Sequence, residues 1–267
     1  MTATIFDAAL RRWRLTPDGA PRFTATSALL PVRMASRAAM LKIARVPEER
    51  AGAALMAWWD GRGAARVLGH EGDALLLERA RGARSLHEMA MTGDDDVASR
   101  AICAVAARLH APRVPVPPPL TPLARWFAEL DAAARAHGGI LRTSADTARA
   151  LLAAPREVVV LHGDLHHDNV LDFGARGWRA IDPKGLYGER GFDFANILCN
   201  PDLPVSRDPV RFARQVEVVA AAAQLERRRL LEWILAYAGL SAAWFIADGS
   251  AEKADLSVAR IAIAKLR

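Results

Sequence analysis

The chain has 267 residues, of which 52% are hydrophobic, enough for one large domain or two small lobes around a buried core. A net charge of +6 raises nucleic-acid binding, but 32 arginines and only four lysines are spread along the whole length, with no strand of alternating aromatics and bases, which argues against a nucleic-acid partner. The longest uncharged run, residues 233–247, covers fifteen positions; about 20 are needed to span a bilayer, so it suits a buried helix and no membrane is expected.

No charged start followed by an apolar stretch marks a signal peptide. Cys103 and Cys199 sit far apart in apolar contexts and read as free core thiols, which fits the reducing cytoplasm. The expectation is a cytoplasmic, monomeric protein that folds alone.

After a short N-terminal helix or extension, residues 13–15, the turn Thr16-Pro17-Asp18-Gly19 and the run from Phe23 to Val32 suggest paired strands. Thr26 and Ser27 lie where a loop could cover phosphates through hydroxyls and backbone N–H groups, although no Gly-x-Gly-x-x-Gly is present. The strand Ala39 to Ala44 contains Lys42, one of the four lysines. A buried ammonium is costly unless paired, so its presence there points to a charge serving the α- and β-phosphates of ATP. Pro47 opens a helix with Ala51, Leu55, Trp58 and Trp59 at helical spacing, ending at Gly61-Arg62-Gly63. Glu48 or Glu49 in its first turn could pair with Lys42, and periodicity does not choose between them. Strands follow at 67–69 and 74–77, and Glu78-Arg79-Ala80-Arg81-Gly82 breaks the apolar pattern. In a two-lobed kinase this is the hinge, where the backbone of Glu78 and Ala80 would bond adenine.

The remaining chain reads as mostly helical. Residues 94–110 carry Val97, Ile102, Val105 and Leu109 on one side, and the proline-rich stretch 112–122 is an extended loop. Thr121-Pro122 caps a helix with the stripe Leu123, Trp126, Phe127 and Leu130, and Ser144 caps the next, which ends before Pro155. Residues 185–196 read as a glycine-rich loop entering a helix, with Asp193 serving as an N-cap or as a brace for the loop or substrate. Three more helices are expected at 209–223, 226–247 and 250–265, with Arg227-Arg228-Arg229 as an exposed turn.

Within this region, a short buried strand at Val158 to Leu161 leads into His162-Gly163-Asp164-Leu165-His166-His167-Asp168-Asn169, and a hairpin over 170–181 returns the chain to Asp182. An acid, an amide five residues on and a second acid beyond a hairpin is the order phosphoryl transfer needs: one carboxylate orients the acceptor hydroxyl, and an amide oxygen with another carboxylate holds magnesium on the phosphates. Asp164 would be the base, with Asn169 and Asp182 as metal ligands. A metal site built from His162, His166 and His167 is the rival reading of the same loop.

With these elements assembled, the chain resembles the aminoglycoside phosphotransferases, in particular the streptomycin 6-phosphotransferases grouped with hydroxyurea-resistance kinases. The resemblance is carried by residues 58–67, 161–173, Ile181-Asp182-Pro183, Gly188-Glu189-Arg190 with Phe192-Asp193, and 240–246. It implies an α+β, bilobal, protein-kinase-like fold, with a β-rich nucleotide-binding lobe at 1–79 and a mostly helical catalytic and substrate-binding lobe at 80–267. It further implies MgATP as donor, Lys42 on ATP with Glu49 as partner, and a hydroxyl of streptomycin as acceptor. Lys184 stands where the family pattern leads one to expect His or an apolar residue. Streptomycin is a cation and the protein is basic, so recognition needs a local acidic patch, for which Asp193, Asp202, Asp248, Glu252 and Asp255 are candidates. A kinase of ketosamines or of hydroxyurea is the alternative. A nucleotide-binding module without catalysis is disfavoured by the joint presence of Lys42, Asp164, Asn169 and Asp182.

Overall fold

The computed structural model describes residues 4–114, 116–250 and 255–267. Its first part is an antiparallel sheet in the order β1 (Leu15–Pro17), β3 (Ser27–Met34), β4 (Arg37–Ala44), β6 (Ala74–Glu78), β5 (Val67–Glu71), with β2 (Arg22–Phe23) pairing β3. Successive side chains of a strand point to opposite faces. Accordingly Leu30, Val32, Leu41, Ile43 and Leu76 form a core with Phe6 and Ala9 at α1 (Asp7–Arg12). Ser27, Leu29, Pro31, Met40, Lys42 and Leu77 line a cleft on the other face, with Leu29 opposite Lys42 in register.

Helix α2 (Pro47–Trp59) begins with proline at its first position and ends at Asp60 in the left-handed region. It buries Leu55, Met56 and Trp59 against the large core of the second part, joining the sheet to the helices. Gly52 makes the approach possible: a Cβ there would collide with the carbonyl oxygen of Pro183. A larger residue would lift α2 away from the Ile181-Asp182-Pro183 segment.

The second part contains α3 (Leu86–Met91), α4 (Asp95–His110), α5 (Leu123–Trp126), α6 (Ala128–His137) and α7 (Gly139–Ala153), then α8 (Gly191–Leu198), α9 (Leu203–Ser206), α10 (Pro209–Ala223), α11 (Arg227–Ala247) and α12 (Ser257–Leu266). Helix α11 has 21 residues and is apolar enough by length and composition to cross a membrane, yet most of it is buried among α6, α7, α8, α10 and α12. Two small sheets lie under the cleft. One has β11 (Leu186–Glu189) between β8 (Val158–Leu161), antiparallel, and β7 (Thr121–Pro122), parallel; the other is the hairpin of β9 (Val170–Asp172) with β10 (Trp178–Ala180).

Several sequence expectations change here. Thr121-Pro122 forms a short strand, and Pro122 is the N-cap of α5 where Thr121 was expected to be, with the following stripe divided between α5 and α6. Ser144 is no cap but lies inside α7, packed against Gly239 of α11, where only small residues fit. Val97 and Val158 are exposed. Residues 186–189 pair as a strand, which their glycine content hides. Arg229 is not exposed with its neighbours: it is held at 2.6 Å by the buried Glu189, which also accepts a hydrogen bond from Trp233 at 2.7 Å. Cys103 and Cys199 are free thiols, and burial pushes both up to about 12.

Gly52→Ala is expected to destabilise the fold by roughly 1–3 kcal/mol through overpacking and to weaken binding of a magnesium–ATP analogue. Urea unfolding and calorimetric titration measure the two effects. Unchanged stability and affinity would mean that α2 can shift at no cost.

Candidate active site

The ammonium of Lys42 on β4 pairs with Glu49 of α2 and with Asp182, just after β10. Side-chain exposure of 11% for Lys42 and 7% for Glu49 makes this a buried network, in which a missing partner would leave an uncompensated charge. Glu49, not Glu48, is therefore the partner. Asp182 has a φ of 65°, sparsely populated by residues with a side chain. Burial would raise its carboxyl, but Lys42 and then Lys184 outweigh that effect and hold it below the usual range.

The loop after β8 is held from beneath. Asp193, in the first turn of α8, accepts hydrogen bonds from the amides of His162 and Gly163 and from His110 Nε2, each at 2.8 Å. Burial would raise its carboxyl, yet the His110 bond, the neighbouring histidines and the Gly163 amide lower it. Its side chain has no exposure. It is thus a brace for the loop and is removed from the substrate candidates, because no acceptor can reach it. His162 is fully buried and stacks on Trp59; its Nε2 lies 2.8 Å from the Ile181 carbonyl, while its Nδ1 accepts from the Asp164 amide at 3.2 Å. This is the tautomer with the proton on Nε2.

On this scaffold Asp164 turns one oxygen to Asn196 Nδ2 at 3.1 Å and the other towards Asn169 Nδ2 at 3.3 Å. Asn169 also donates from Nδ2 to the Asp164 carbonyl at 2.8 Å, so its amide oxygen is directed away from the loop backbone. Lys184 Nζ lies 3.6 Å from Asp164 Oδ2. Burial would lower the lysine, but Asp164, Asp182 and Glu49 raise it and keep it charged.

Two cavities meet at this point. The larger, about 690 Å³, contains Lys42, Ser27, Glu78, Ala80, Asn169 and Asp182, with the apolar Leu29, Leu77, Leu171, Phe173 and Ile181. Apolar walls with convergent charges at one end suit a nucleotide. The Glu78 amide is committed to the Arg66 carbonyl at 3.0 Å, and its carboxylate to Arg176 and the Arg66 amide. The Ser27 amide donates to Thr24 Oγ1 at 2.9 Å, closing the turn tightly. Neither amide is free for a ligand. Thr26 borders both cavities.

The second cavity, about 420 Å³, is lined by Asp164, Gly163 and Lys184 on one side and by Glu48, Glu49, Asp248, Trp126 and Trp244 around it. The two indoles meet edge to face at 5.8 Å. Of the acidic candidates, Asp248 is here. Asp202 is not: it lies 3.6 Å from His87 Nε2, outside this lining. Asp255 pairs with Arg207 at 2.7 Å, and Glu252 falls outside the described residues. Sequence reasoning missed Asn196, Trp126 and Trp244 as site residues and weighed Glu48 only as a partner for Lys42. Trp126 was visible only as a member of a core stripe and Trp244 only as part of the 240–246 segment that carries the resemblance, and nothing in the sequence joins the two.

Asn169 and Asp182 share the nucleotide cavity, and among the described residues no three His, Cys, Asp or Glu side chains gather as a metal site. The oxygen donors fit magnesium, which commonly takes one or two protein groups and completes its shell with phosphate and water. The histidine alternative fails on geometry: His162 is committed to Ile181 and Asp164, and His167 is buried.

Burial pushes His167 down to about 3 and also lowers His162 despite the nearby Asp193 and Asp164. Both stay neutral in the fold, whereas in the unfolded chain they take up protons near pH ~6.5. Their neutral burial leaves stability intact above that pH and erodes it as pH falls towards 3. Urea unfolding is expected to give a stability lower at pH ~5.5 than at pH ~7.5 by on the order of 1 kcal/mol from His167 alone. Equal or greater stability at the lower pH would contradict this.

The family model for aminoglycoside/hydroxyurea antibiotic resistance kinases matches residues 12–249. Over 245 residues, covering 90% of this chain and 92% of the relative, the sequence is 55% identical to a streptomycin 3''-kinase of Klebsiella pneumoniae. It is 34% identical to a streptomycin 6-kinase of Streptomyces glaucescens, covering 91% of this chain and 82% of that one. Among solved structures, a thermostable variant of aminoglycoside phosphotransferase APH(4)-Ia, in complex with ADP and hygromycin B, superposes with a TM-score of 0.70 at 14% identity over 99% of this chain and 98% of that one. At that identity the likeness establishes the fold, which is bilobal and protein-kinase-like. The chain belongs to the aminoglycoside/hydroxyurea antibiotic resistance kinase family.

Proposed function

We propose that the protein transfers the γ-phosphoryl group of ATP to a hydroxyl of streptomycin and so inactivates it, acting as a cytoplasmic monomer. The observation that carries the acceptor is the cavity beside Asp164. Besides Asp164, the carboxylates of Glu48 and Asp248 and the indoles of Trp126 and Trp244 line it, Glu49 being committed to Lys42, in a chain whose net charge is +6. Guanidinium and ammonium groups are attracted both to carboxylates and to indole faces. The acidic patch thus answers the long-range repulsion between a basic protein and a cationic drug.

In this reading Asp164, held by Asn196 and Asn169, accepts the hydroxyl proton as the oxygen attacks. Lys42, itself held by Glu49, neutralises the α- and β-phosphates. Asn169 and Asp182 would hold magnesium, which when bound would offset the charge on the phosphates. Positioning and electrostatics supply most of the rate in such chemistry. The 6-hydroxyl is the acceptor position implied by the resemblance. A second reading, the 3''-hydroxyl, is favoured by the 55% identity to a 3''-kinase, against 34% to a 6-kinase.

ADP release is to be measured with streptomycin, other aminoglycosides, a fructosamine and hydroxyurea. Turnover is expected with streptomycin, and NMR of the product distinguishes the two hydroxyls. Asp164→Ala is expected to lower kcat by roughly 10²–10⁴-fold while MgATP affinity changes little. Near-normal turnover in that variant, or turnover confined to another compound, would overturn the assignment. Trp244→Ala is expected to raise the KM for streptomycin on the order of tenfold, equivalent to a desolvated cation–π contact. An unchanged KM would remove the indole from recognition.

A further inference from the structure

The cation nearest Asp164 has no role in the scheme above. Lys184 lies two residues beyond Asp182, yet it lines the second cavity with Asp164, whereas Asp182 lines the first. It therefore stands where the transferred group must pass. Its backbone is fixed: its amide donates to the His162 carbonyl at 2.7 Å, and Gly163, at a φ of 85°, is packed so closely that a Cβ on it would lie 3.0 Å from Lys184 Cβ. Its head is less committed. At 3.6 Å from Asp164 Oδ2 the ammonium is in ionic contact without a proper hydrogen bond, and its side chain is 26% exposed, against 11% for Lys42.

We propose, resting on the phosphotransferase reading, that Lys184 is a catalytic residue whose ammonium meets the γ-phosphoryl group on the acceptor side during transfer. Two observations favour this over binding of the acceptor. A permanent positive charge in a cavity for a cationic acceptor opposes ground-state binding, so its benefit must fall on something negative. Moreover, the Ser27 amide, in the turn that borders both cavities, is held by Thr24 Oγ1 and does not face a phosphate. Lys42 is enclosed by Glu49 and Asp182 on the opposite side. A second cation in contact with the phosphoryl oxygens supplies charge on the side that Lys42 does not reach.

In the step itself, the acceptor oxygen bonds to the γ-phosphorus while the bond from that phosphorus to the β–γ bridging oxygen breaks. The electron pair of the broken bond leaves with ADP, and the hydroxyl proton goes to Asp164. Lys184 gains most when charge is spread over the three γ-oxygens in flight, and an interaction stronger there than in the ground state raises kcat.

The test compares the wild type, Lys184→Met and Lys184→Arg in ADP release with streptomycin and in hydrolysis of MgATP to ADP and phosphate without acceptor. Calorimetry of Mg·ADP binding serves as a readout independent of turnover. For Lys184→Met, both rates are expected to fall about 100-fold, the scale of losing one transition-state donor. Mg·ADP affinity should stay within about threefold and the KM for streptomycin should not rise, while Lys184→Arg should recover about tenfold of the loss. Acceptor-free hydrolysis equal to wild type would overturn the proposal, as would a loss seen only as a raised streptomycin KM. If streptomycin does not stimulate the wild type, the acceptor assignment fails, and the hydrolysis comparison still decides the role of Lys184.

Discussion

The buried ammonium of Lys42, between Glu49 and Asp182, is the interaction on which the architecture turns. Its three members come from a strand of the sheet, the helix that follows it and the segment after the β9–β10 hairpin. A charge removed from water is tolerated only when paired, so each element is held in place by the other two. Gly52 permits the close approach of α2 to Pro183 that the triad requires. The same contact leaves Glu48, one residue earlier on α2, on the second cavity, the proposed acceptor site. One packing choice thus fixes the phosphate end of the nucleotide cavity and one wall of its neighbour.

A second buried charge organises the other side of the reaction. Asp193 has no exposed side-chain surface, and its hydrogen bonds hold the His162 and Gly163 amides, so the turn presenting Asp164 is rigid before any substrate arrives. Asn196, one helical turn later on α8, reaches Asp164 itself. One face of one short helix sets both the loop and the orientation of the Asp164 carboxylate, the proposed base. Preorganisation of this kind lowers the reorganisation required during transfer.

Much of this was legible in the sequence where the signal was local. The spacing of Asp164, Asn169 and Asp182 encodes a loop and a hairpin, both short enough for residue types to specify. Lys42 stood out because lysine is rare in this chain and the strand around it is apolar. The choice between Glu48 and Glu49 was not legible, since both fall in the first turn of α2 and only its packing angle decides. Ser144 looked like a cap because serine favours caps, but its small size against Gly239 explains it better. The cavity beside Asp164 was the least visible feature. It is assembled from α2, the catalytic loop, α5 and the end of α11, segments far apart in the chain, and its tryptophans follow the same helical spacing as core residues.

The most direct test of the central claim, that Asp164 faces a cationic acceptor across the transferred phosphoryl group, is a ternary crystal structure with a magnesium-bound non-hydrolysable ATP analogue and streptomycin. The expected result places one streptomycin hydroxyl within hydrogen-bonding distance of the Asp164 carboxylate, cationic groups of the drug against Asp248, Glu48 and the two indoles, and the γ-phosphate between Lys42 and Lys184. Streptomycin bound elsewhere, or with no hydroxyl near Asp164 while the nucleotide occupies its cavity, would contradict it.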